Sequence, residues 1–198
     1  QNLADYIRLP DYIEKKKDAG QIPMAGYADL MRFALLEHYG GTWIDSTVYL
    51  TDPIPDMILN SDFFAVRNSL LLIDNPVLYP AWFLHAKKGN KTIREIRNVA
   101  FAYWLKNEHV IEYLLPNLII TLVVKSNPEV EQEIPYMNSD YSEYLVKVLA
   151  DDYSEEKWNW IKKLTGIHKL TYKLDADIKH GHNFYDYLIT SSDEKNTK

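Results

Sequence analysis

Two adjacent glycines, Gly40-Gly41, constrain this chain more than any other feature. The stretch before them, Tyr27 to Tyr39, places residues 27, 30, 31, 34, 35 and 38 on one broad, mostly apolar face, with Asp29, Arg32 and Phe33 on a neighbouring one. That spacing predicts a helix, and paired glycines stop it in the left-handed region, where other residues are strained. Directly after the stop come Thr42-Trp43-Ile44-Asp45, short, apolar and β-prone, which predicts a buried strand ending on a carboxylate. A helix that turns back at once into a buried strand points to an α/β fold.

The rest of the chain extends the pattern. Residues 3–17 read as a short amphipathic segment interrupted at Pro10, and Asp18 to Pro23 as a loop. Asp52-Pro53-Ile54-Pro55 is a turn, and strands are expected at Asp62–Arg67 and Ala81–Ala86 on either side of a loop around Asp74-Asn75-Pro76. A helix follows Lys87–Asn90, with Thr92-x-x-Glu95 as a capping box and Ile93, Ile96, Val99, Ala100, Tyr103 and Trp104 on its buried face. Helices are expected at 112–122, 139–150 and 154–164, an extended segment at His168–Lys173, and a polar, disordered tail from Ser191 to Lys198. The expected organisation is one domain over 1–190, with an α/β core at 1–110, a mainly helical part at 111–190, and the tail at 191–198.

Composition excludes several classes. Net charge is −6, and the 22 basic residues are scattered among 28 acids, so no nucleic-acid partner is expected. Lys15-Lys16-Lys17 reads as a solvated helix face. Without cysteine there is neither a disulfide framework nor a thiolate metal site. The longest apolar run, Leu114 to Val124, is broken by Pro116 and Asn117 and falls short of the roughly 18 residues of a membrane span. No basic region followed by an apolar one opens the chain, so no secretory signal is visible, and the first residues read as the interior of a longer protein.

The chemistry centres on Asp29, Arg32 and Asp45. Standing alone, two oppositely charged residues three apart on a helix are a surface ion pair of a few tenths of a kcal/mol, about 0.3. They do not stand alone. Open α/β sheets bind ligands beyond the carboxyl ends of their strands, which is where Asp45 stands, followed by the hydroxyls of Ser46 and Thr47. A carboxylate there can meet sugar hydroxyls or a divalent cation, since both take oxygen ligands.

With Gly40, Gly41, Trp43 and Ile44 between them, Asp29, Arg32 and Asp45 follow a spaced pattern: an Asp and an Arg three apart, then two glycines, an aromatic, an aliphatic and a final Asp. It resembles the core of the glycosyltransferase families with a DXD motif at a strand end. The nearest resemblance is to the capsular polysaccharide synthesis glycosyltransferases, whose strand reads W-I-D-x-T, as Trp43-Ile44-Asp45-Ser46-Thr47 does. Tyr6 to Ile13 and Trp82 to Asn90 agree with the same family, so the resemblance covers roughly residues 5–110, and 160–175 loosely.

The resemblance implies a Rossmann-like nucleotide-sugar fold of the GT-A type with a helical C-terminal part. The implied activity is transfer of a sugar from a nucleotide-diphosphate donor to a growing capsular or other surface polysaccharide. Asp29 would then bind donor-sugar hydroxyls, Arg32 would neutralise the sugar or the diphosphate, and Asp45, with Ser46 and Thr47, would meet the donor ribose or a Mn²⁺ or Mg²⁺ ion. The acceptor would be a glycan or lipid-linked glycan at the cytoplasmic face of a membrane, reached by peripheral contact. Two departures weigh on this. Thr47 stands where a full D-x-D has its second Asp, which puts the cation in doubt. The strand and loop that usually hold the base precede the motif, and only 28 residues precede Asp29. A catalytically inactive binding or scaffold subunit of a polysaccharide assembly complex is the alternative.

Other candidates carry ordinary readings beside their functional ones. By the resemblance, His168 or Lys169 would meet the diphosphate, though a capping or surface histidine beside Gly166 fits equally well. Trp82 is a candidate for stacking on a sugar ring and Asn68 for the acceptor side, against a core role for an indole in an apolar strand. His180-Gly181-His182 offers two imidazoles, too few for a metal site without a third ligand. Trp158 and Trp160, two apart, cannot share a helix face, so one is expected to pack and the other to be exposed. The phosphatase motif D-x-D-x-T fails at Thr47 and Tyr49.

Overall fold

A computed structural model describes residues 5–69, 76–174, 178 and 181–195. In chain order the elements are α1 (Asp11–Asp18), α2 (Met24–Tyr39), β1 (Gly41–Ile44), β2 (Val48–Leu50), α3 (Asp56–Leu59), β3 (Phe63–Ala65), β4 (Phe83–Ala86), α4 (Lys91–Lys106), α5 (Leu115–Lys125), α6 (Pro128–Glu133), α7 (Ser139–Ser142), α8 (Tyr144–Lys147), α9 (Glu155–Leu164), β5 (Ile167–Lys169) and α10 (Phe184–Lys195). The chain is a mixed α/β protein. Both described sheets are small and antiparallel, β1-β4-β3 and β2-β5. The parallel strands of a Rossmann-like half are absent among the described residues. The loop expected around Asp74 and Asn75, His180, and the last three residues of the expected tail lie outside the described residues.

Two compact units divide the chain, and not at residue 110. The first comprises residues up to Ile44 together with Pro55–Met137; the second comprises Asp45–Ile54 together with the residues from Asn138 onward.

In the first unit, α2 begins three residues earlier than its periodicity suggests, because Pro23 supplies the carbonyl that accepts from the Tyr27 amide at 2.9 Å. Its buried set, Leu30, Met31, Phe33, Ala34 and Leu36, is wider than the expected stripe, and Arg32 is buried with it. The cause is packing on two sides, since α2 touches both α4 and the strands β1 and β4. Gly40 ends the helix at φ 72°, and a Cβ there would lie 2.5 Å from the Lys88 backbone nitrogen. Only glycine lets β1 enter the sheet beside the chain leaving β4.

Strand β4 is central, with Phe83, Leu84, His85 and Ala86 all buried. Helix α4 is capped by Asn90, whose side chain accepts from the Ile93 amide at 3.1 Å, and not by the expected box at Thr92, which is buried. Ile93, Ile96, Ala100 and Trp104 form its inward face as expected. Each such aliphatic side chain contributes about 2 kcal/mol by leaving water.

Among the described residues no named strand pairs with the segment leading into β4, and α5 supplies acceptors for its amides. Thr121 Oγ1 accepts from the amides of Leu78 at 3.1 Å and Tyr79 at 3.2 Å, and Asn117 Oδ1 accepts from Ala81 at 3.0 Å. Glu131 accepts from the Tyr79 hydroxyl at 3.1 Å and lies 3.3 Å from Arg67 and 2.8 Å from Lys125. Burial, with Glu131 adding to it against Arg67, pushes the Tyr79 hydroxyl up to about 12.

In the second unit β2 and β5 pair with Val48 opposite Lys169, Tyr49 opposite His168 and Leu50 opposite Ile167. Gly166 permits the close approach, because a Cβ there would come within 2.6 Å of Asp52 Cβ. The expected helix at 139–150 is broken into α7 and α8, while α9 matches expectation and is capped by Ser154, which accepts from Lys157 at 3.2 Å. Trp158 is buried and Trp160 is 47% exposed, the division their spacing requires. Leu145, Leu149, Trp158, Ile161, Phe184 and Leu188 form the core. Helix α10 runs to Lys195 through most of the stretch expected to be disordered.

Candidate functional site

The expected site residues fall into separate groups. Asp29, Arg32, Asn68 and Trp82 belong to the first unit, and Asp45, Ser46, Thr47, His168 and Lys169 to the second. The chain passes between the units after Ile44, again after Ile54 and again after Met137.

In the first unit, Asp29 and Arg32 form the ion pair that a helical spacing of three allows, at 3.0 Å. It is not a surface pair: the two side chains are 18% and 10% exposed. Arg32 Nη1 also donates to the Ala81 carbonyl at 2.6 Å, and its guanidinium lies 4.9 Å from the centre of the Trp43 ring. The planar fork is thus fixed by a carboxylate, a carbonyl and an aromatic face, which is the use for which arginine is better suited than lysine. Arg32 acts here as a positioning residue that fixes the Asp29 carboxylate. The motif aromatic Trp43 belongs to this group through Arg32, a role its place in the pattern did not assign.

Trp82 is 6% exposed, with its ring edge-to-face on Phe83 at 6.0 Å. No open face is left for a sugar to stack upon, so in this structure the indole is a core side chain. Asn68 is half-buried and pins its own loop, with its side chain donating to the Val77 carbonyl at 2.9 Å and its amide to Leu78 at 2.8 Å. His85, buried at the centre of the sheet, pairs through Nδ1 with Thr42 Oγ1 at 2.8 Å. Burial, with Lys87 nearby, lowers its pKa.

In the second unit, Asp45 to Val48 is a tight turn closed by the Val48 amide donating to the Asp45 carbonyl at 2.9 Å. Ser46 is exposed at its tip. Lys169 stands opposite Val48, fixed further by the Leu170 amide donating to the Thr47 carbonyl at 2.8 Å. The register carries the Lys169 ammonium to the turn: it donates to Thr47 Oγ1 and to the Leu170 carbonyl at 3.3 Å, and lies 3.9 Å from Asp45 Oδ2. The side chains of Lys169 and Asp45 are 22% and 27% exposed, so the group is open on one side.

His168 behaves differently from its neighbour. It is fully buried, Nε2 shares a hydrogen bond with Thr51 Oγ1 at 3.0 Å, and Nδ1 is buried without a hydrogen-bond partner. Burial drives its pKa down to about 4, against a smaller raising effect of Asp52. A neutral side chain with no exposed surface does not meet a diphosphate, and the alternation of the strand explains why: residue 168 faces inward and residue 169 outward.

The oxygens available to a cation at the turn are one carboxylate and two hydroxyls. Among the described residues no group of three or more His, Asp or Glu side chains lies together so as to hold a metal ion. No described helix is long and apolar enough to cross a membrane.

Fold and side chains together define a mixed α/β protein in which Asp29 pairs with Arg32 in one unit and Asp45 lies beside Lys169 in the other. The model of the capsular polysaccharide synthesis protein family matches residues 1–188, and the chain belongs to that family. Membership ties it to capsule biosynthesis. No curated protein matches the chain.

Proposed function

We propose that this protein is a glycosyltransferase that moves a sugar from a nucleotide-diphosphate donor to a growing capsular or other surface polysaccharide, free or lipid-linked. The observation that carries the reading is the Asp29 carboxylate, held by an arginine that is itself fixed on three sides. A partly exposed carboxylate held this firmly suits recognition of sugar hydroxyls, and it suits the positive charge that grows on the sugar ring as its bond to phosphate breaks. In the second unit Asp45 stands beside Lys169 and Thr47, a second polar group with the residue types that a donor's hydroxyls and phosphates call for. On this reading the α2–glycine–β1 segment belongs to a donor-binding fold of the GT-A type.

Calorimetric titration with UDP-glucose and GDP-mannose, together with an assay of donor hydrolysis, tests the proposal. Asp29→Asn and Asp45→Asn should each reduce donor binding or turnover at least about tenfold, a loss of about 1.4 kcal/mol, while circular dichroism stays unchanged. The binding or scaffold reading is favoured by Thr47, which removes the second carboxylate of the motif. It predicts that partner association survives both substitutions and that no donor is turned over.

A further inference from the structure

The turn at Asp45–Val48 poses a question of charge. A D-x-D turn presents two carboxylates and balances them with a divalent cation. Here residue 47 is threonine, a neutral oxygen that is a weak ligand for Mg²⁺ or Mn²⁺. The charge of Asp45 is met instead by the Lys169 ammonium, 3.9 Å from Asp45 Oδ2 and donating to Thr47 Oγ1.

The placement is built into the backbone. The β2–β5 register sets Lys169 opposite Val48, the Leu170 amide is bonded to the Thr47 carbonyl, and the turn is closed by the Val48 amide on the Asp45 carbonyl. These contacts fix the backbone that carries the lysine and the turn whose oxygens its head addresses. A divalent ion entering between Asp45 and Thr47 would meet the Lys169 ammonium already beside both residues, and like charges so close repel strongly outside bulk water. The metal would also find too few anionic oxygens to replace its hydration shell.

We propose that Lys169 is the resident cation of this turn and that the site takes no divalent metal. Three features converge on this: the substitution at 47, the register that delivers residue 169, and the contacts of its ammonium with both positions of the motif. The consequence for catalysis rests on the transferase reading given above: transfer would proceed in the presence of a chelator. The claim about the turn itself does not need that reading.

The test therefore uses the metal alone. The full chain is titrated with MnCl₂ near neutral pH and free Mn²⁺ is followed by electron paramagnetic resonance, beside Lys169→Met, Thr47→Asp/Lys169→Met and Asp45→Ala. The unsubstituted chain should show no Mn²⁺ site that depends on Asp45. Removing the ammonium and restoring the second carboxylate together should create one, at least about tenfold tighter than any binding by the parent. Two results would overturn the proposal: Mn²⁺ binding by the parent that Asp45→Ala abolishes, or a folded double variant that gains no binding. Neither depends on whether a nucleotide sugar is a substrate. A failure of the transferase reading would show separately, as absence of donor binding by a protein whose Mn²⁺ behaviour is as expected.

Discussion

Arg32 lies against Asp29 and Lys169 against Asp45, yet the two units treat these cations in opposite ways. Arg32 lies along α2 at 10% exposure with its fork fixed by Asp29, Ala81 and Trp43. Lys169 sits at the end of a two-stranded ladder at 22% exposure and reaches a turn that is open on one side. The difference follows from the side chains: a rigid, weakly hydrated fork can be buried and used to hold something else, whereas an ammonium on four methylenes stays mobile enough to change partners. The first unit uses its cation to fix a carboxylate, and the second holds its cation beside a partly exposed turn.

Stability should separate the two most clearly. Arg32→Ala leaves Asp29 without its guanidinium in a poorly solvated place and should cost about 3–5 kcal/mol, while Lys169→Ala should cost less than about 1 kcal/mol because that pair is partly solvated. Urea unfolding of both variants measures this, and equal costs would erase the distinction drawn here.

The buried histidines sharpen it at intermediate size. His168 titrates near 4 in the folded protein and ordinarily at 6.5, so between these values the unfolded chain binds a proton that the folded chain does not. Its contribution is fully present above pH 6.5 and is lost as pH falls toward 4, with a slope of about 1.4 kcal/mol per pH unit. His85 in the first unit shifts in the same direction, so acid should loosen both units. In urea midpoints compared at pH 7 and pH 5, His168→Gln should flatten the slope by the share of the second unit only.

The smallest effects should be alike in both units. Asn90→Ala removes the cap of α4 and Ser154→Ala that of α9, and each should cost about 1 kcal/mol in thermal unfolding. A large inequality would mean that one of the two helices draws its stability mainly from elsewhere.

What the sequence disclosed was local. The helix before Gly40, the strand after it, the helix over 154–164 and the opposite fates of Trp158 and Trp160 all follow from spacing within a few residues. The Asp29–Arg32 pair was legible for the same reason, but not its burial, which depends on Ala81, 49 positions from Arg32. Lys169 and Thr47 are 122 positions apart and meet only because two three-residue strands pair in one register. No periodicity reveals such a contact. The helix expected over 139–150 is interrupted at Glu143, which ends α7 and precedes α8. Asn117, read as an interruption of an apolar run, proves to be half of a polar pair with Thr121, one helical turn on.

That pair limits how α5 can vary over generations. Its apolar positions can exchange one aliphatic residue for another of similar volume, as cores generally allow. Positions 117 and 121 have no such latitude, since an aliphatic residue at either strands amides of the segment leading into β4. This apolar helix is therefore expected to drift among aliphatic residues of similar volume while holding Asn117 and Thr121, and a survey of natural variants would find its constraint concentrated where its composition looks least like a core.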